Sequence, residues 1–369
     1  MLCAGVPAGT EFGFDTHVWT AGPRFLGLKG VPPGLHLLYW APAPGGVRQA
    51  AFLHLPPGGD AAVFRWNAAT EALDAVAIDG DDDDDDDDRV RDGRRMAAAA
   101  RRFELDAALA LYPLEDGGGW ASLVAGCDLA TARRVSGLLA VTAAADGGGT
   151  ARECVVHIPG ASPGSTAAQR TAYGVDTSAA LAGVVADATT RLAIPRPQLG
   201  AVLVAELRAA YVLFVMAQCL PALEHWKRLV DCVCRAEAAL ASFSGAAPLT
   251  EGEVAALLAA VCSQLHHLPA DFFTDTLSKD NFLFPALTAI SASTAAAATA
   301  APPTASPLAA VLADLRAVLA SRFGTHLPPA APARPPVAAS EEFASMDALL
   351  AALRAAGGDD DLPAIVELP

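Results

Sequence analysis

The fold of the second half of this chain is decided by one stretch, ALEHWKRLVDCVCRAEAAL, at residues 222–240. Its apolar residues recur close to the three- and four-residue spacing of one helix face, and its charged residues occupy the other face. The pattern predicts one amphipathic helix over the whole stretch, with Glu224 and Arg228 spaced as an ion pair. The apolar face consists of Leu223, Trp226, Leu229, Val230, Val233, Cys234 and Leu240.

Local signals predict further helices around this stretch. Pro221 suits a first helical turn, so a helix over Leu199 to Cys219 should end just before it and form a helical hairpin. Thr250 and Glu253 have the spacing of a capping box, which predicts a helix over Val254 to Leu265. The remaining predicted helices are Asp271 to Ser278 and Leu308 to Phe323, the latter between the N-cap Ser306 and the stop residue Gly324.

The first half of the chain has the punctuation of a small antiparallel sheet. Gly and Pro recur every few residues, and short β-favouring runs lie between them at Leu35 to Trp40, Ala50 to Leu55 and Ala62 to Trp66. The segment Asp79 to Arg95 is nearly pure charge, which predicts a flexible acidic loop. Beyond it we expect a helix over Met96 to Leu111, a helix and a strand within Trp120 to Val141, and a strand over Glu153 to Ile158.

These patterns predict an α+β protein in which a β-rich domain precedes a helical one. A chain of 369 residues exceeds one ordinary core, so two domains are expected. We place a β-rich N-terminal domain at residues 1–166, with an acidic disordered loop at 79–95, and an all-helical C-terminal domain at 167–324. Residues 325–369 should form a Pro/Ala linker, a short helix and a flexible C-terminal strand.

Charge and composition disfavour several classes of function. The net charge is −16, of which the eight aspartates of Asp81 to Asp88 supply half, leaving −8. An acidic chain without a stripe of Lys and Arg lacks the basis for binding a phosphate backbone, so no direct nucleic-acid binding is expected. The longest apolar stretch, Ala209 to Leu223, is too short to span a bilayer, so no membrane span is expected.

No motif predicts a metal, a cofactor or catalysis. Cys232 and Cys234 lie two apart on the predicted helix, so they point in different directions and cannot share one tetrahedral ion. The aspartate run lacks the turn geometry of a calcium loop, and the glycine clusters lack the spacing of a phosphate-binding loop. No nucleophile motif accompanies the histidines, although a triad assembled in space would not be visible in the sequence. We therefore predict no enzyme, no metal and no cofactor.

The last residues have a strand-like pattern. An acidic lead, Asp359 to Asp361, precedes LPAIVELP at residues 362–369, which is rich in β-favouring residues and bounded by prolines. A tethered strand can pair with its own sheet or add to the sheet edge of another protein. The residues themselves leave both alternatives open.

Several stretches resemble one known family. They are VPAGTEFGFD at residues 6–15, Trp19, VPPGLH at 31–36, EHWKRL at 224–229, CRAEA at 234–238, LPADFF at 268–273, SKDNFL at 278–283 and VELP at 366–369. In this order they resemble the Aar-two cistron-splicing factor family. The pattern departs from the family at Ala143 to Pro197, in the aspartate run and in the Pro/Ala stretch before the tail, so contacts of those regions are not transferred.

The resemblance implies a nuclear and cytoplasmic protein that assists assembly of the U5 small nuclear ribonucleoprotein (snRNP). It implies a helical domain similar to VHS domains and a protein partner, the large U5 scaffold protein, bound at its RNase H-like and Jab/MPN domains. Occupancy of that site would delay association of the U5 helicase. The partner-binding strand maps to Ala364, Ile365, Val366, Glu367 and Leu368.

Other motif residues have a structural interpretation as well as a functional one. Trp226 lies on the apolar face of its predicted helix, which favours a place in the core over contact with a partner. We interpret as structural the family-motif residues Trp19, Glu224, His225, Trp226, Lys227, Asp271, Phe272, Phe273 and Asn281. Competing functional hypotheses are a general helical adaptor without a U5 role and a hydrolase with a hidden site; a tetratricopeptide array lacks a second copy at its ~34-residue period.

Overall fold

The computed structural model describes residues 1–58, 61–78, 88–114, 119–143, 156–158, 175–241, 243, 247–268, 283–300 and 306–327. Within these residues the chain is β-rich at its start and helical afterwards, as predicted. The strands are β1 (Leu2–Ala4), β2 (Glu11–Phe14), β3 (His17–Thr20), β4 (Gly27–Lys29), β5 (Gly34–Ala41), β6 (Gln49–Leu55), β7 (Val63–Asn67), β8 (Ala72–Val76) and β9 (Leu109–Leu111). The helices are α1 (Asp88–Arg101), α2 (Gly119–Leu123), α3 (Leu129–Ala143), α4 (Ser178–Thr190), α5 (Arg196–Ala217), α6 (Leu220–Cys234), α7 (Glu237–Ala241), α8 (Glu251–Leu265), α9 (Leu283–Ala300) and α10 (Pro307–Phe323).

The strands form two sheets that pack face to face. One sheet has four antiparallel strands in the order β3-β2-β5-β6, and the other has five strands in the order β8-β7-β1-β4-β9. In the five-stranded sheet β1 runs parallel to β7 and β4 parallel to β9. Side chains of both sheets meet in one apolar cluster that contains Phe12, Phe14, Leu28, Trp40 and Phe64. The three strands predicted from the β-favouring runs are confirmed as β5, β6 and β7.

Strand β5 is buried on both faces, and its side chains point alternately into two different cores. Leu38 and Trp40 point into the cluster between the sheets. Leu37 and Tyr39, which alternate with them, point away from it and join a second core that includes residues of the helices. The four-stranded sheet therefore lies between the five-stranded sheet and the helical layer.

The helical region follows its local sequence signals closely. The hairpin of α5 and α6 is confirmed, with a proline in the first turn of α6. The Thr250 and Glu253 capping box is present at the start of α8. Ser306 caps α10, and Gly324 ends it in the left-handed conformation. Each of these signals is contained within a few residues of sequence, which explains why it could be identified without the fold.

The single helix predicted over Ala222 to Leu240 is wrong, because the chain breaks after α6. The segment before α4 binds at this break. Thr177 donates from its backbone N–H to the Arg235 carbonyl oxygen at 3.0 Å and from its hydroxyl to the Cys232 carbonyl oxygen at 2.7 Å. Ser178 accepts a hydrogen bond from the Ala239 backbone N–H at 3.0 Å. These contacts satisfy backbone groups that a continuous helix would have paired internally.

The flexible loop predicted at 79–95 is corrected in its second part, since α1 begins at Asp88. Gly93 and Ala97 are buried in α1. A Cβ on Gly93 would lie 3.0 Å from a methyl of Ile78 and 3.1 Å from one of Val76, so glycine allows the helix backbone to lie close to the five-stranded sheet. Residues 79–87 lie outside the described part.

Three other predictions concern residues 96–158, and two further helices were not expected from the sequence. The helix predicted over Met96 to Leu111 is confirmed as far as Arg101, where α1 ends, and is wrong beyond it, since residues 109–111 form β9. Within Trp120 to Val141 the structure has two helices, α2 and α3, and no strand. Of Glu153 to Ile158, residues 156–158 are described and are not a strand. Helices α4 and α9 were not predicted.

The predicted boundary between residues 166 and 167 stays a prediction, because residues 159–174 lie outside the described part. Residues 1–328 form one compact unit, and the four-stranded sheet and the helices share a core. The likeness to VHS domains also stays a prediction. The predicted helix over Asp271 to Ser278 and the linker, helix and strand at 328–369 lie outside the described residues.

Helix α5 is the central helix of this core. Among the described residues it alone has the length and apolar composition that could cross a membrane. It packs against α3, α4, α6 and α8 and buries twelve of its 22 residues, including Glu206. Burial in the core accounts for its apolar composition.

Candidate functional site

The signature at residues 6–36 builds a buried polar network. Asp15 is fully buried at a turn after β2, with φ of 54°. Its carboxylate accepts hydrogen bonds from the Leu37 backbone N–H at 3.0 Å, from the Tyr112 hydroxyl at 2.8 Å and from His36 Nδ1 at 2.7 Å. His36 Nε2 lies 2.8 Å from the Pro32 carbonyl oxygen. The network joins strand β5 of the four-stranded sheet to Tyr112, which directly follows β9 of the five-stranded sheet, so it connects the two sheets.

The other signature residues of this region also pack. Trp19 lies on the edge strand β3, half-buried against the cluster between the sheets, and its ring stacks on His17 at 5.7 Å. Gly13 lies under the ring of Tyr39, and a Cβ there would be 1.9 Å from a ring carbon. The Tyr39 hydroxyl donates to the His17 carbonyl oxygen at 3.0 Å, and burial raises the pKa of Tyr39 to about 12. Gly13 is therefore required by the close approach of this ring.

The helical motif places Trp226 in the core. Its side chain is fully buried, and its indole N–H donates to Gln264 Oε1 on α8 at 2.9 Å. The Tyr211 hydroxyl donates to the Gln264 backbone carbonyl oxygen at 2.9 Å, and the ring centroids of Tyr211 and Trp226 lie 5.6 Å apart. Trp226 thus connects α5, α6 and α8, and a partner cannot reach it in the folded protein.

His225 is buried next to Trp226 and contacts a charged residue of α5. Its Nε2 lies 2.8 Å from Oε1 of Glu206, which also accepts a hydrogen bond from the Val156 backbone N–H at 2.7 Å. The second carboxylate oxygen of Glu206 is buried and has no hydrogen-bond partner among the described residues. The contact between His225 and Glu206 joins α6 to α5, and Glu206 also holds the segment at Val156, 50 residues earlier in the chain.

Glu224 and Lys227 form the exposed part of the same motif. Lys227 Nζ lies 3.0 Å from Glu224 Oε1, so the ion pair predicted between Glu224 and Arg228 is formed with Lys227 instead. Exposed pairs of this kind contribute little to stability. The structure therefore brings His225 and Trp226 into the interior and leaves Glu224 and Lys227 at the surface.

The remaining predicted site residues lie outside the described part. They are the segment residues Asp271, Phe272, Phe273 and Asn281 and the tail residues Ala364, Ile365, Val366, Glu367 and Leu368. Their proposed roles stay predictions.

A groove lies where the β5–β6 hairpin meets the helices. We call it the junction groove, a cavity of about 210 Å³ lined by Gly45, Gly46, Val47, Arg48, Leu139, Ala217, Gln218 and Cys219. Val47 is 83% exposed at its rim, whereas Arg48 is held in place. Arg48 Nε donates to Glu11 Oε1 at 2.7 Å, and its guanidinium lies over the Tyr39 ring at 5.1 Å. The sequence did not reveal this groove, because its walls come from three separate segments.

Burial controls the chemistry of the described cysteines. Burial raises the pKa of the Cys3, Cys127 and Cys232 thiols to about 12, so the thiolate is not populated at neutral pH. Among the residues that the structure describes, no three side chains of His, Cys, Asp or Glu converge as metal ligands.

Comparison with known proteins gives matches in both halves. Residues 1–137 match the model of the AAR2 N-terminal domain, and residues 156–328 match that of the AAR2 C-terminal repeat region. The chain is 28% identical over 341 residues to Protein AAR2 homolog of Mus musculus and of Homo sapiens, covering 79% of this chain and 82% of each relative. It is 25% identical over 329 residues to Protein AAR2 homolog of Caenorhabditis elegans, covering 79% of this chain and 85% of the relative.

Proposed function

Because the chain belongs to the AAR2 family, we propose that it assists assembly of the U5 small nuclear ribonucleoprotein as a noncatalytic factor in the nucleus and cytoplasm. The observation that supports this proposal is that both family matches occur in order and cover both the β-rich and the helical region. They confirm the family assignment made from the signature stretches.

The proposed partner is the large U5 scaffold protein, which this chain would bind at the RNase H-like and Jab/MPN domains. While this chain occupies the scaffold, association of the U5 helicase would be delayed. The signature residues Asp15, His36 and Trp226 are used inside the fold, so the folded region acts as a platform rather than through these side chains. The family resemblance supplies the partner and the mechanism.

The proposed contact is the strand Ala364 to Leu368, which adds to a sheet edge of the scaffold. Main-chain pairing in such a complex provides affinity, and alternating side chains such as Ile365 and Val366 provide selectivity. The acidic lead Asp359 to Asp361 and the Gly357-Gly358 pair before it are suited by composition to tether a strand.

The test is a pull-down of the C-terminal domains of the U5 scaffold from the same organism. The full chain is compared with a chain truncated after Asp361. The proposal predicts strong capture by the full chain and sharply weaker capture by the truncated one. Equal capture would refute the strand mechanism and keep the assembly role, whereas no capture by either chain would favour a general helical adaptor.

A further inference from the structure

Helix α1 carries a straight line of exposed arginines. Of the 25 Lys and Arg residues in the chain, six lie between positions 89 and 102. Residues 88–104 contain three carboxylates, Asp88, Asp92 and Glu104, so this segment is basic by three charges, although seven further aspartates, Asp81 to Asp87, directly precede it. Three of them, which we call the arginine line, are Arg91, Arg95 and Arg102. Arg91 and Arg95 lie in α1, and Arg102 directly follows its last residue and still donates from its backbone N–H to the Ala98 carbonyl oxygen at 3.3 Å. With the helical repeat of 100° per residue continued to Arg102, the three positions agree within about 40° and span about 16 Å along the axis.

The arginine line faces away from the core. The buried residues Gly93 and Ala97 lie on the opposite side of α1. The side chains of Arg91, Arg95 and Arg102 are 50%, 73% and 60% exposed. Each contacts one local carboxylate, at distances between 2.6 and 3.9 Å. The pairs of Arg91 and Arg95 are exposed single contacts, which are weak and exchange easily. Arg102 donates two hydrogen bonds to Glu104, at 2.6 and 3.1 Å, so a phosphate group would have to displace this carboxylate.

An exposed aromatic ring lies directly after the arginine line. Phe103 is 76% exposed and has a φ of 60°, a left-handed conformation that is costly for a bulky side chain. The hydrogen bonds from Glu104 N to Ala99 O at 3.1 Å and from Phe103 N to Ala100 O at 3.0 Å form a Schellman motif. Glycine is the usual residue at this position of the motif, yet the chain has a phenylalanine whose ring faces solvent.

From these two observations we propose that the arginine line and Phe103 bind single-stranded nucleic acid. Arginine binds phosphate oxygens with two parallel hydrogen bonds, and an exposed aromatic ring stacks on an unpaired base. Cationic side chains beside exposed aromatic rings are the combination by which proteins hold single strands without sequence preference. This proposal departs from the expectation based on overall charge, because the arginines form a line only when the segment is helical.

The test measures fluorescence anisotropy of a fluorescein-labelled oligouridylate of roughly 12 nucleotides with the full chain. Three phosphate contacts to a single strand predict a slope of about −2 for the logarithm of the association constant against the logarithm of salt concentration. The triple variant R91Q/R95Q/R102Q should lose this binding. The matched control is R24Q/R133Q/R228Q, which removes the same charge from exposed positions elsewhere and should bind as the parent does.

Phe103→Gly separates binding from folding. It removes the left-handed strain, so thermal stability should be unchanged or higher, while affinity should fall about tenfold with the loss of stacking. Phe103→Trp should retain the affinity. Absence of binding by the parent chain, equal losses in both arginine triples, or full affinity in Phe103→Gly would overturn the proposal. So would competition by a polyglutamate peptide of equal charge as strong as that by unlabelled oligouridylate, since the surface would then accept acidic peptides.

Discussion

Replacing Trp226 by phenylalanine tests whether the helical motif serves packing. The substitution leaves Gln264 Oε1 buried without its indole donor, which costs about 1–3 kcal/mol. The smaller ring also leaves a void of roughly 40 Å³, which costs about 1 kcal/mol at the usual dependence on cavity volume. We therefore expect Trp226→Phe to lower the free energy of unfolding by about 2–4 kcal/mol.

The assay is urea unfolding followed by far-UV circular dichroism, because the substitution removes a fluorescent indole. Gln264→Leu removes the unpaired acceptor, so combined with Trp226→Phe it should cost less than the sum of the two single changes, by about 1 kcal/mol. The control Glu224→Gln changes an exposed residue of the same motif and should shift stability by less than about 0.5 kcal/mol. The reasoning is refuted if Trp226→Phe leaves unfolding unchanged but abolishes binding of the U5 scaffold.

Three further substitutions test other parts of the account. Gly13→Ala should destabilise the protein by about 3 kcal/mol or more in urea unfolding, since its Cβ would overlap a buried ring, whereas Gly22→Ala, with nothing within 4 Å, should be neutral. Hydrogen bonds from Arg196 lower the pKa of Glu253 from 4.5 to about 2. The ionised Glu253 carboxylate therefore stabilises the fold above pH 4.5, and this stabilisation is lost as the pH falls toward 2. Acid unfolding of Glu253→Gln should consequently differ from the parent above pH 4.5 and converge with it near pH 2, and identical profiles throughout would contradict the assignment. Tyr112→Phe removes one of the donors to Asp15 and should lower the melting temperature, with a loss of about 1.5–3 kcal/mol; an unchanged melting curve would argue against the network.

The elements that the sequence predicted correctly depend on local signals. The capping box of Thr250 and Glu253 lies within four residues, and Ser306 and Gly324 mark both ends of α10. The β-favouring runs of the first half lie between Gly and Pro, so their strands were identified although their pairing was not. In each case the information lies close to the element that it determines.

The elements that the sequence missed depend on distant contacts. The break after α6 is held by Thr177 and Ser178, which lie about 60 residues earlier in the chain. The first part of helix α1, residues 88–95, has the composition of a solvated loop, and only the sheet under Gly93 reveals why it is ordered. Propensity cannot report such contacts, because they form between segments that are brought together by the fold.

The candidate sites divide in the same way. Trp226 could be assigned to the core from helix periodicity, but its partner Gln264 and the Glu206 partner of His225 could not be found by spacing. Asp15 and Tyr112 meet across 97 residues of sequence. Phe103 is unusual for its left-handed backbone conformation and its exposed ring, which composition does not encode.

The most direct test of the proposed function is a binding titration of the C-terminal domains of the U5 scaffold by biolayer interferometry. Ile365→Pro removes a main-chain donor within the proposed strand, and Asp360→Pro places the same residue in the acidic lead as a control. The account predicts that Ile365→Pro weakens binding about tenfold or more while Asp360→Pro binds as the parent does. Unchanged affinity for Ile365→Pro would contradict the strand-addition mechanism.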